Sequence, residues 1–208
     1  MAKRESTFTN MVVSLLVITL VSGAILGFVH EKTKEAIELS KTRAQDEAIA
    51  KVLPAFDKLG NPVIILPENS SDSVDLFPAY MGEKLVGVAV KSFSEKGFSG
   101  HISLIAGLDT AGNFTGYEVL EHKETPGLGS KMTEWFRARE KQGQNVIGKN
   151  PANTRFKVKK DGGDIDAITA STITSRAFLD ALNRAYEGWV LYKKESEIQK
   201  YKTEKQNR

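Results

Sequence analysis

Between Asp166 and Ser175 the chain reads DAITASTITS: three threonines and two serines among small and apolar residues, with Asp166 the single charge. A helical pattern follows directly. One Ser or Thr is enough to cap a helix, where its side chain accepts a hydrogen bond from a first-turn amide worth about 1 kcal/mol. That accounts for one of the five hydroxyls. A helix N-terminus also carries roughly half a positive charge and several unpaired N–H donors. Hydroxyls there suit the binding of phosphate. A threonine at that point also suits esterification to one, because the product sits where the field stabilises it. On residue types alone, a capping cluster and an anion site both stay open.

A second stretch, ETPGLGSKM at 124–132, joins a predicted strand to a predicted helix. Pro126-Gly127 and Leu128-Gly129 make a tight turn, and glycines there let backbone come close to a ligand. An ordinary strand-to-helix turn has the same composition. GFSG at 97–100 reads as a turn rather than a phosphate loop, since no Lys-Ser/Thr pair follows it. Of the three histidines, His30 borders an apolar segment, while His101 and His122 fall on separate predicted strands in position to face each other. With no cysteine in the chain and no close-spaced acid pair beside these histidines, no metal site is expected. Trp135 and Trp189 read as core or membrane-edge anchors.

The elements that must position these residues follow from patterning. The 208 residues suggest one globular domain with additions. A net charge of +3 with acids and bases intermixed argues against a dedicated nucleic-acid binder. The lack of cysteine excludes disulfides, cysteine-held clusters and cysteine nucleophiles. Residues 6–29 carry no charged side chain. That run meets the roughly 20 apolar residues a bilayer span needs, and it exceeds the about 7–15 of a signal-peptide core, so a single uncleaved anchor is expected. Gly23 and Gly27 form a small-xxx-small pair suited to helix packing. Lys3 and Arg4 precede the span, but Lys32, Lys34, Lys41 and Arg43 follow it, so charge bias does not decide the orientation.

Residues 31–53 predict a stalk helix ended by Pro54, and 69–73 predict a loop. From about Phe77 the period becomes two. Runs at 84–94, 100–109 and 114–124 predict strands, and the short turns between them imply an antiparallel meander. Residues 131–143 predict a helix, 155–160 a short strand and 161–164 a turn. Residues 175–194 predict a helix with Phe178, Leu182, Ala185 and Trp189 on one stripe, before a charged, frayed end. The class is α+β.

DAITAST, Asp166 to Thr172, resembles the flavinylation motif D-x-x-[S/T]-[G/A]-[A/S]-T, whose final threonine carries FMN through a phosphoester bond. The usual form ends in Ser-Gly-Ala-Thr; here it is Thr169-Ala170-Ser171-Thr172. ETPGLG, Glu124 to Gly129, is similar to a second signature of that family. Anchor, meander, loop and threonine motif stand in the family's order over nearly the whole chain. The chain resembles the G subunits of Rnf electron-transport complexes, related to the C subunits of sodium-pumping NADH:quinone reductases.

The resemblance implies a single N-terminal transmembrane helix followed by one FMN-binding domain, with an antiparallel sheet flanked by helices. It divides the chain into a tail (1–7), an anchor (8–30), a stalk (31–54), the FMN-binding domain (55–195) and a charged tail (196–208). It implies FMN esterified to Thr172 by a separate flavin transferase. Asp166 and Thr169 then serve transferase recognition or bonds around the phosphate, in the loop that holds Ala170. Ser171 and Thr174 donate to the phosphate or cap the helix. Thr125, Gly127, Leu128 and Gly129 form a wall facing the flavin, and Glu124 orients that loop.

No residue makes or breaks substrate bonds. In the Rnf complex, electrons pass between ferredoxin and NAD and drive sodium or proton translocation. The implied partners are membrane and iron–sulfur subunits, the transferase and membrane lipid, with no nucleic acid. The implied location is the bacterial inner membrane, with the bulk of the chain periplasmic. Two other readings stay open: a flavinylated domain of another extracytoplasmic electron-transfer system, and an unmodified membrane-tethered scaffold or sensor.

Overall fold

The computed structural model describes residues 7–67, 72–138, 140–141 and 143–206. The expected tail at 1–7, apart from Thr7, and most of the loop at 69–73 lie outside them. Two units emerge, Met1–Ala44 and Gln45–Arg208.

One helix, α1 (Phe8–Val52), takes in both the predicted span and the predicted stalk. It contains an 18-residue window of mean hydropathy 2.6, long and apolar enough to cross a membrane. Large apolar side chains from Phe8 to Val29 are exposed all round it, the pattern of a helix with no polar face to turn toward water. The Thr19 hydroxyl donates back to the Leu15 carbonyl at 3.0 Å, so it carries its own partner into apolar surroundings.

The second unit is built on an antiparallel sheet. Its strands are β1 (Lys58–Leu59), β2 (Val63–Ile65), β3 (Val74–Met81), β4 (Lys84–Gly97), β5 (Gly100–Asp109) and β6 (Phe114–His122). The order is β1-β3-β4-β5-β6, with β2 also on β3. The predicted meander is β4-β5-β6. Alternation sorts the side chains. Leu104 and Ala106 join Leu76, Val90, Phe178 and Leu182 on one face. Ile105 joins Phe77, Ala79, Ala89 and the last turns of α1, at Ala48, Ile49 and Val52, on the other. Gly107 and Gly116 pair across β5 and β6. A Cβ on Gly116 would lie 3.0 Å from the Val52 Cα, so the glycines clear a slot for the end of α1. The Thr115 hydroxyl donates to the Val52 carbonyl there at 2.5 Å, giving a carbonyl of the helix end a donor.

The helix expected at 131–143 is shorter: a 3-10 turn at Gly129–Lys131 leads into α2 (Met132–Trp135). The Phe136 carbonyl, which a longer helix would use, instead accepts from the Val146 amide at 2.9 Å. The strand expected at 155–160 is also absent. Its backbone bonds go to the next turn, with Asp164 N donating to Arg155 O and Lys159 N to Ile165 O, leaving one bridge, Val158 to Ile165. The last helix, α3 (Thr172–Gln206), starts three residues before the predicted 175–194 and runs past it. The Phe178 ring stacks on Phe136 at 4.4 Å, and Trp189 is buried. His101 and His122 do not face each other. Ile102 pairs with His122, so His101 lies on the opposite face of the sheet.

Candidate functional site

The start of α3 is set by Ser171 and Ser175. The Ser171 amide donates to Ile168 O, and the Ser175 amide to Ser171 O, each at 3.0 Å. The buried Ser175 hydroxyl donates to Ser171 O and accepts from the Ile168 amide, each at 2.9 Å, and so clamps the entry turn. The turn needs a left-handed residue, and Ala170 supplies it at φ 60°. Among the described residues, no acceptor engages the amides of Thr172, Ile173 and Thr174. They are free first-turn donors of a 35-residue helix, with the positive end of its dipole behind them.

Glu124 anchors the opposite side. It is 5% exposed. Its Oε2 accepts from the Thr174 hydroxyl at 2.6 Å, and its Oε1 accepts from the Ser99 amide at 3.0 Å. Its own amide donates to His122 Nδ1 at 3.2 Å. Space for the carboxylate comes from Gly129, where a Cβ would lie 2.6 Å from Glu124 Oε2 and 2.7 Å from Thr174 Oγ1. The loop between folds on itself. Leu128 and Ser130 amides donate to Thr125 O at 3.2 and 3.3 Å, and the Gly127 amide donates to Ser130 Oγ at 2.9 Å.

These elements enclose a cleft of about 340 Å³. Glu124, Thr125, Leu128 and Gly129 line it from the loop, and Ala170, Ser171, Thr172 and Thr174 from the helix start. Both sequence motifs therefore meet in one place. Three of the expected site residues stand outside the lining. Asp166 pairs with Lys159 at 2.8 Å, and its carbonyl accepts from Trp135 Nε1 at 3.1 Å. Thr169 is exposed on the entry turn. Gly127 shapes the loop with φ 75°. Two lining residues, Phe98 at the β4–β5 turn and Ile173, are not among those the sequence singles out. Phe98 carries one signal, an aromatic between glycines in a tight turn. Ile173 carries none beyond its place amid hydroxyls.

The hydroxyls divide by partner. Thr174 is committed to Glu124, and Ser175 to Ser171 and Ile168. Ser171 is buried. Thr172 is half-buried in the cleft, and among the described residues its hydroxyl has no hydrogen-bond partner.

Comparison with known proteins bears on this site. Residues 97–187 match the FMN-binding domain family, a stretch that takes in every residue lining the cleft. The chain is 32% identical over 176 residues to the G subunit of the ion-translocating oxidoreductase complex of Shewanella amazonensis, covering 79% of this chain and 80% of that one. To the G subunit from Cronobacter sakazakii it is 33% identical over 183 residues, covering 83% and 86%. To that from Methanosarcina acetivorans it is 31% identical over 191 residues, covering 86% and 93%. The chain belongs to the family of G subunits of ion-translocating oxidoreductase complexes, an electron-transfer family built on an FMN-binding domain.

Proposed function

We propose that this chain carries FMN esterified through its phosphate to Thr172 Oγ1, and relays electrons within an Rnf-type complex moving electrons between ferredoxin and NAD. The observation that carries the reading is the combination at Thr172: an uncommitted hydroxyl in a cleft, beside three free amides at a helix N-terminus. The donors suit a phosphate, and the hydroxyl suits the ester. The cleft falls in the usual size range of small-molecule sites, about 300–1,000 Å³. Its rim holds the exposed side chains of Phe98, Leu128 and Ile173, which suit a flat apolar ring system. The residues therefore fit the group.

FMN supplies the electron storage, and the chain supplies position and field. The amides of residues 172–174 hold the phosphate charge. Glu124 accepts the hydrogen bond of the Thr174 hydroxyl, which then has no proton to donate to the phosphate, and ties the loop to the helix. The apolar rim limits water. A covalent tether prevents loss of cofactor on the extracytoplasmic side, where we place the domain. α1 is the anchor, and its Gly23 and Gly27 suit packing against membrane subunits of the complex. The coupling ion is sodium or a proton.

Intact mass tests the tether. Coexpression with a flavin transferase adds the mass of FMN less one water to the wild type and to Thr172→Ser, and nothing to Thr172→Ala. No gain in the wild type overturns the reading and leaves a scaffold or sensor domain. Orientation is tested with Glu83→Cys, an exposed position in a chain with no other cysteine. A membrane-impermeant maleimide labels it in spheroplasts without lysis. Labelling only after lysis places the domain in the cytoplasm.

A further inference from the structure

We propose that Phe98, at the tip of the β4–β5 hairpin, is a wall against which the isoalloxazine ring of FMN packs. This rests on the flavin reading above. Phe98 and Ser99 form the turn between Gly97 and Gly100, which pair across the hairpin. Tight turns favour Gly, Asn, Asp, Pro and Ser, each for a local backbone reason that phenylalanine does not share. Nor is Phe98 a core residue: it is 68% exposed. Neither local structure nor packing explains it, and its position does. It lines the same cleft as Thr172, with Leu128 and Ile173 beside it, so three separate chain segments bring apolar side chains to one place.

The tip is also held. The Ser99 amide next to Phe98 donates to Glu124 Oε1 at 3.0 Å, while Glu124 Oε2 takes the Thr174 hydroxyl at 2.6 Å. One buried carboxylate fixes the hairpin tip to the helix turn that carries Thr172. A phosphoester fixes only one end of FMN and leaves the ring on its flexible ribityl chain. The ring needs a surface of its own, and an aromatic side chain on a restrained turn is such a surface. A Phe reaching for lipid or a protein partner has no need to face this cleft.

The test uses the full chain in detergent, matured with the flavin transferase, as wild type, Phe98→Trp and Phe98→Ala. Intact mass reports the tether. Flavin emission and its quenching by iodide report the wall. Expressed without the transferase, where the side chain is exposed, both variants keep the wild-type melting temperature. Phe98→Trp loses most of its flavin emission, because an indole in contact quenches an excited flavin by electron donation. Phe98→Ala becomes more sensitive to iodide, because one ring face opens to solvent. Full FMN mass with unchanged emission and iodide sensitivity in both variants overturns the Phe98 wall and leaves the tether standing. No FMN mass on the wild type overturns both.

Discussion

The Thr174 hydroxyl donates to Glu124 Oε2 across 2.6 Å, joining two buried side chains 50 positions apart. Removing the acceptor leaves both the Thr174 hydroxyl and the Ser99 amide unpaired and opens a void. Glu124→Ala should cost about 2–4 kcal/mol, a fall of very roughly 5–15 °C in melting temperature at about 2–4 °C per kcal/mol. Glu124→Gln should cost much less, since the amide oxygen still accepts from Ser99 and the Thr174 hydroxyl can rotate to accept from the amide NH2. Gly129→Ala should resemble Glu124→Ala, because its Cβ would displace the pair. Thermal unfolding of the three variants checks the order. Equal losses for Gln and Ala would remove the hydrogen-bond explanation.

Ala170 holds φ 60° at the position where the related motif usually has glycine. The left-handed region costs a residue with a Cβ roughly 1–2 kcal/mol, and glycine returns part of that in unfolded-chain entropy. Ala170→Gly should therefore stabilise the domain by about 0.5–1 kcal/mol. Urea unfolding measures this. A lower midpoint would mean that the alanine methyl contributes packing that outweighs the strain.

Burial pushes the Tyr117 phenol up to about 12, with the neighbouring Arg137 charge acting the other way. The phenol donates to the Met132 carbonyl at 2.8 Å, so the protonated form is the one the fold holds. The sign follows. Below pH 10 both folded and unfolded chains keep the proton and the contribution is complete. Between about 10 and 12 the unfolded chain releases it first, so stability falls by roughly 2–3 kcal/mol. Other groups titrate there as well. The difference between wild type and Tyr117→Phe isolates this one. Tyr117→Phe should be about 1 kcal/mol less stable at pH 8 and should lose less between pH 10 and 12. Parallel stability curves would rule the linkage out.

The domain includes the end of α1. A chain beginning at Gln45 keeps Ala48, Ile49 and Val52, which cover Phe77, Ala79, Ala89 and Ile105. It should be soluble without detergent and unfold cooperatively. A chain beginning at Pro54 loses that cover and the acceptor of the Thr115 hydroxyl. At about 1.5–3 kcal/mol for each large apolar side chain, the loss is on the order of 5 kcal/mol. Urea unfolding of the two truncations measures the difference, and equal midpoints would show that the last turns of α1 are dispensable.

The sequence by itself determined whatever depends on local periodicity and composition. The apolar run at 6–29 sets a helix long and apolar enough to cross a membrane, because a span needs about 20 residues of unbroken hydrophobicity. Alternation over 84–122 sets three antiparallel strands, because the pleat has period two and the turns are short. The hydroxyl run and ETPGLG marked both sides of the cleft. Only the tertiary structure decided which hydroxyls are committed and which line the cleft. Thr169, Ser171, Thr172, Thr174 and Ser175 are chemically alike; Glu124, 50 positions away, takes Thr174, the entry turn takes Ser175, and Thr169 stands outside the cleft that Thr172 lines. Phe98 stayed hidden for the same reason: a turn aromatic acquires meaning only when the hairpin tip arrives beside the helix start. Residues 131–143 show the reverse case. A good helical pattern gave way because the Phe136 carbonyl found the Val146 amide, a partner that local sequence does not reveal. Periodicity is written along the chain, whereas the partners of buried polar groups are set by packing between segments distant in sequence.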